Sequence, residues 1–213
     1  QNKNSGKPLV NVLQKELVIH TKPSFSTTFV AGLFFFSGFV SLVYQVIWMR
    51  HLALFFGSDV FSAAIGLSAF MGGLSLGSYI AENVVDRIKN PLLYYGIIEI
   101  IIGLYAFFFN DFLFNFKPFL KDIYQEFFLS SPALYQGVRI FTAASALILP
   151  TALMGATLPI MAKYFVTDET HTGKQVGYLY SINTFGAAAG CLLSGYFLIE
   201  YLGVLQTAWL AAC

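Results

Sequence analysis

One carboxylate stands where it is hardest to keep. Glu99 lies inside LLYYGIIEIIIGLYAFFF (92–109), the one acid in an otherwise uncharged run of 21 residues between Lys89 and Asp111. An ionised carboxylate in hydrocarbon costs several kcal/mol, so it must turn toward protein and find a partner, or keep its proton. Two chemistries follow: a site for a proton or a cationic solute, or a hydrogen-bonded clasp between helices. At 1.5 Å per residue, Glu99 sits roughly 10 Å above the inner end of its run. Asn183, Thr157 and Ser75 lie about as far up theirs, so a polar layer of Glu99, Asn183, Thr157 and Ser75 is predicted.

A second group sits in the outer half of the first uncharged run, that between Lys22 and Arg50. Ser37, Ser41 and Gln45 are spaced by four and share a helical face, and Tyr44, Trp48 and Arg50 follow. Gln45, Tyr44 and Arg50 read either as a polar site under the outer loops or as an aromatic belt at the headgroups with a snorkelling arginine. Asp86 and Arg87 fall in a short connection, either an ordinary positively charged loop or a binding site.

Other chemistries lack their residues. Cys191 and Cys213 sit in apolar runs and make no metal-ligand spacing. His20 and His171 lie in polar segments and His51 at a boundary, so no histidine inside a span is placed to ligate a haem or chlorophyll. A net charge of +1 gives no electrostatic case for nucleic acid.

The elements that must position these residues follow from the spacing of charge. The chain is 57% hydrophobic and 11% charged, against roughly 25% charged in ordinary domains. Uncharged stretches of 27, 22, 23 and 25 residues separate Lys22 from Arg50, Asp59 from Glu82, Arg139 from Lys163 and Lys174 from Glu200. Crossing hydrocarbon takes about 20 residues. An all-α polytopic bundle of about six spans is predicted: 27–49, 60–81, 92–110, 140–163, 176–199, and a sixth that opens near Leu202 and is cut at Cys213. The cut predicts a longer parent chain. The segment 1–26 is expected in the cytoplasm, since that orientation puts eight Lys/Arg inside (Lys3, Lys7, Lys15, Lys22, Arg87, Lys89, Lys163, Lys174) and four outside (Arg50, Lys117, Lys121, Arg139). Residues 111–137, rich in Phe among scattered charges, read as a connection lying in the outer interface as an amphipathic helix, or as a short re-entrant loop. Ala69, Gly73, Gly77 and Ala81, and Gly186, Gly190 and Ser194, recur every four residues and predict close helix packing. Pro150 and Pro159 should kink the fourth span.

Several strings in order, SGFVSLVYQVIWMRHLALFFG (37–57), AFMGGLSLGSYIAENVVDRIKNP (69–91), LPTALMGATLPIMAKYF (149–165) and VGYLYSINTFGAAAGCLLSGYFLI (176–199), resemble the membrane portion of the membrane-bound spermidine synthase-like proteins, a major-facilitator-like region fused to a spermidine synthase. The resemblance covers about residues 30–213. It implies half of a major-facilitator-like bundle, a bacterial inner membrane, and a polyamine link. It also implies a cytoplasmic aminopropyltransferase-like domain beyond the helices that uses decarboxylated S-adenosylmethionine. The signatures of that domain do not occur here, so no catalytic residue and no cofactor are assigned to this chain. The loop at Asp86-Arg87 departs from the major-facilitator pattern, with Glu82 where a glycine belongs. Three functions stay open: an anchor that also moves polyamines or small solutes, a structural subunit docked on other membrane proteins, and a half-size transporter working as a homodimer. The lipid bilayer is the expected environment for all three.

Overall fold

In a computed structural model, residues 27–56, 60–109, 131–166 and 172–212 are described, and they are helical almost throughout. The expected cytoplasmic segment 1–26, most of the 111–137 connection and Cys213 lie outside the described residues. We name the helices α1 (Thr27–Phe56), α2 (Val60–Val84), α3 (Pro91–Phe109), α4 (Pro132–Phe165), α5 (Thr172–Leu193) and α6 (Ile199–Ala212). Among the described residues, five helical stretches are long and apolar enough to cross a membrane, the last running from α5 into α6. Such continuous apolar runs make helices because an isolated stretch of backbone in lipid can satisfy its own N–H and C=O groups only that way.

The element ends follow local chemistry. α3 starts on Asn90-Pro91, a polar cap followed by a residue with no N–H to lose, and the Asn90 carbonyl accepts from Leu93 and Tyr94. A 3₁₀ turn, Val85–Arg87, closes α2. Pro132 opens α4, which runs unbroken through Pro150 and Pro159. That start is eight residues earlier than the predicted 140. Charge spacing makes Arg139 a boundary, but it lies inside the helix. The stretch 132–137 is therefore part of α4. α1 likewise continues past Arg50 to Phe56, because the exposed Arg50 side chain lets an arginine sit within a helix without burying its charge.

Close packing rests on the predicted small residues. A Cβ at Gly77 would collide with the backbone of Ala152, one at Gly73 with Thr151, and one at Gly155 with the backbone of Leu74. These contacts weld α2 to α4. Gly186 and Gly190 meet the carbonyls of Phe35 and Phe39, and Gly38 meets Asn183, welding α1 to α5. Without a hydrophobic force between helices in lipid, such backbone approach is what holds them.

Register reveals direction. Phe35 pairs with Gly186 and Phe39 with Gly190, so α1 and α5 run parallel. Leu33 with Tyr95 and Ser37 with Glu99 keep a constant offset of 62, so α1 and α3 are parallel as well. Arg139 reaches Ser62 at one end of α4, and Lys163 reaches the Val85 and Asp86 carbonyls at the other, which makes α4 parallel to α2. Gly66 of α2 faces Met49 and Leu52 of α1, so the end of α1 packs against the start of α2.

The core of the bundle gathers Val43, Tyr44, Ile47 and Trp48 of α1 with Ile102, Ala106, Leu147 and Ala208. Ala208 arrives there because Gly203 breaks the last stretch at φ 80°, ψ 168°, a conformation open essentially to glycine alone. A π-helical turn, Ser194–Leu198, lies just before it.

Candidate functional site

Glu99 sits two turns into α3, partly buried, and faces α1. Ser37 Oγ donates to its Oε1 at 2.5 Å. Tyr95, one turn earlier on the same face, adjoins the carboxyl and donates to the Leu33 carbonyl of α1 at 3.3 Å. A carboxylate has about four acceptor sites, so one serine leaves room for further donors.

Those remaining sites open onto a groove of about 540 Å³ between α1 and α3, within the size range of small-molecule sites. Its polar lining comes from Ser37, Tyr44, Tyr95 and Glu99. Leu33, Phe36, Val40, Leu92 and Ile102 supply apolar wall, and Ala211 of α6 also lines it. The groove is an open furrow with one acid partway along it.

The predicted polar layer is placed as follows. Ser75 donates to Met71 O and Thr157 to Met154 O, each within its own helix. Asn183 packs on Gly38, one residue from Ser37 and therefore turned about 100° around α1. Glu99 is thus joined to Ser37, which spacing along the chain places in the other group, in the outer half of the first span. Because α1 extends to Phe56, Ser37 lies in its lower part, level with Glu99. Equal depth along separate helices says nothing of azimuth.

The second group divides. Tyr44 and Trp48 are each 1% exposed, which excludes a headgroup belt for them. They stack at 5.4 Å with 7° between planes, and Trp48 meets Tyr105 and Phe109 edge-on at 6.1 and 5.9 Å. These rings are core because they lie on the α1 face turned toward α3. Gln45 is partly buried and Arg50 exposed on other faces. Asp86 and Arg87 project from the 3₁₀ turn with exposed side chains, and it is the backbone of Asp86 that is used, by Lys163 at 2.9 Å.

Three residues take roles that charge spacing and depth do not single out. Arg139 is 1% exposed; it donates to Ser62 Oγ and to Gln136 Oε1 at 3.2 Å and lies 5.3 Å from the Tyr135 ring centroid. Its signal in the sequence is Gln136 and Tyr135 one turn back on the same face. Tyr95 carries the same signal, four residues before Glu99. Tyr105 Oη donates to the Ala146 carbonyl at 2.6 Å, and Pro150, four residues on, marks that carbonyl as unserved by its own helix. Among the described residues no cluster of His, Cys, Asp and Glu could hold a metal ion. No family model, curated protein or solved structure matches the chain.

Proposed function

We propose that this chain is the membrane-spanning part of a spermidine synthase-like protein and that it both anchors that protein and offers an amine a binding place within the bundle. In this reading the N-terminus is cytoplasmic, α1 to α5 each cross an inner bacterial membrane, and the segment after Gly203 begins a sixth crossing. The parallel pairing of α1 with α3 and α5, and of α2 with α4, supports an up-and-down path, since helices separated by an odd number of single crossings run the same way.

The observation that carries the amine reading is the Glu99 carboxyl in an apolar groove, with one oxygen engaged by Ser37 and acceptor capacity left over. An intramembrane acid is by default a functional candidate. Its natural complement is an ammonium group, for which the groove offers one acceptor centre and Tyr44 and Tyr95 as flanking aromatic surface.

The test is polyamine movement in proteoliposomes. Purified chain should give uptake of labelled putrescine or spermidine above that of empty vesicles, and Glu99→Gln, which keeps shape and a hydrogen-bond acceptor but removes the acid, should reduce it at least tenfold. Equal uptake by the two proteins would remove Glu99 from the mechanism.

A further inference from the structure

We propose that the Glu99 groove receives its guest sideways from the lipid, and that the guest is an amphiphilic amine: one ammonium group on an apolar body. The inference deepens the amine reading above and rests on it.

Three observations point this way. The first is the rim. Phe29, Leu33 and Phe36 line the groove and are also exposed on the outside of the bundle, Phe36 by 62%. In a bilayer such a surface faces acyl chains, so the mouth between α1 and α3 is wetted by lipid. The second is charge. Among the described residues lining the groove, Glu99 is the only carboxyl or basic group. One carboxylate complements one ammonium, and the apolar wall around it suits an apolar body on the same guest. The third is depth. Glu99 lies about 12 Å of helix beyond Pro91, below the level of headgroups, so a guest must bring its amine down along hydrocarbon. An apolar body does this at no desolvation penalty, exchanging acyl chains for the apolar wall of Leu33, Val40 and Ile102.

Gly96 supplies a clean way to close the groove. It lines the furrow, and a Cβ built there meets nothing within 4 Å, so Gly96→Leu fills the space without disturbing a helix contact. Trp48 supplies the reporter, since it stacks on Tyr44, a groove residue. The chain has two tryptophans, so Trp209→Phe leaves Trp48 alone.

The experiment is quenching of Trp48 fluorescence in lipid vesicles by a brominated alkylamine, with the matching brominated alcohol as control. The amine should quench saturably. Glu99→Gln and Gly96→Leu should each raise the half-saturating amount at least tenfold, and the alcohol should give only the weak linear quenching of a solute dissolved in lipid. Equally tight saturable quenching by a short, water-soluble brominated amine that does not partition into lipid would overturn lateral entry while leaving the amine reading intact. Quenching unchanged in both variants would overturn the site itself. A half-saturation that shifts with protein-to-lipid ratio and is lost in Gly96→Leu but kept in Glu99→Gln would mean that another helix, or a second copy, fills the groove, and would overturn the amine guest.

Discussion

Pro150 has no N–H, so the carbonyl of Ala146 four residues earlier loses its helical donor. Tyr105 of α3 replaces it at 2.6 Å. A side-chain hydrogen bond in a membrane bundle is worth on the order of 0.6–1.7 kcal/mol, and this one also relieves a carbonyl stranded in an apolar core. Tyr105→Phe should therefore lower unfolding stability in detergent by about 1 kcal/mol. In a Pro150→Ala background, where residue 150 can donate its own N–H, the same change should lose less than half of that. Equal losses in both backgrounds would show that the two sites act independently. This interaction is half legible in the sequence. The proline is plain there, and a stranded carbonyl follows from it, but the donor comes from a helix 41 residues away and only the fold selects it. Glu99 shows the same division. Its cost in hydrocarbon is readable from residue type and run length, whereas its partner Ser37 falls in the predicted outer group because charge spacing ends the first span at 49 while α1 runs on to Phe56.

At the scale of the elements, glycine position decides more than glycine content. Gly72 and Gly73 are adjacent, yet a Cβ at Gly72 meets nothing within 4 Å while one at Gly73 runs into Thr151. Gly77, one turn on from Gly73, is pressed against the backbone of Ala152, which cannot rotate away. Gly77→Ala should separate α2 from α4 locally and destabilise by about 2 kcal/mol or more, on the order of other overpacked cores. Gly72→Ala should be neutral or stabilising by up to about 1 kcal/mol from helix propensity. Thermal unfolding of the two variants in the same detergent checks the pair, and similar midpoints would count against the close α2–α4 approach. The four-residue recurrence marks the contact face by itself, since small residues at that spacing share one side of a helix. It carries neither the identity of the partner, α4 rather than α1 or α3, nor the length of α4. Arg139 hides that length because a buried arginine looks, in a charge map, like a boundary.

For the whole molecule, Arg139 and Lys163 mark two levels. About 36 Å of helix lies between them, a little more than the hydrocarbon thickness of about 30 Å. Arg139 ties α4 to α2 through Ser62 at one level, and Lys163 does so through the carbonyls ending α2 at the other. In the proposed topology these two ties bracket the lipid. Single cysteines at Val60 and Val84, both exposed and near those levels, should then react with a membrane-impermeant maleimide from opposite sides of sealed vesicles in a background lacking Cys191 and Cys213. A cysteine at Met71, also exposed but midway, should stay unmodified. Rapid labelling at Met71 would show that α2 does not cross. The helix class is plain from composition and run length, which are properties of the chain by itself. The furrow beside Glu99 is not, because it is defined by what neighbouring helices leave unfilled.

The π-helical turn carries one consequence of its own. Gly186, Gly190 and Ser194 are buried at four-residue intervals, and the next buried position is Ile199, five on. One additional residue in a turn retards everything after it by about 100°. Had the helix continued unaltered, Glu200 would lie nearer the α1 side than Ile199. The retarded turn exchanges them: isoleucine faces inward and the acid, exposed, faces away. A single surplus residue thus steers a charged group clear of a tight glycine contact by rotation alone.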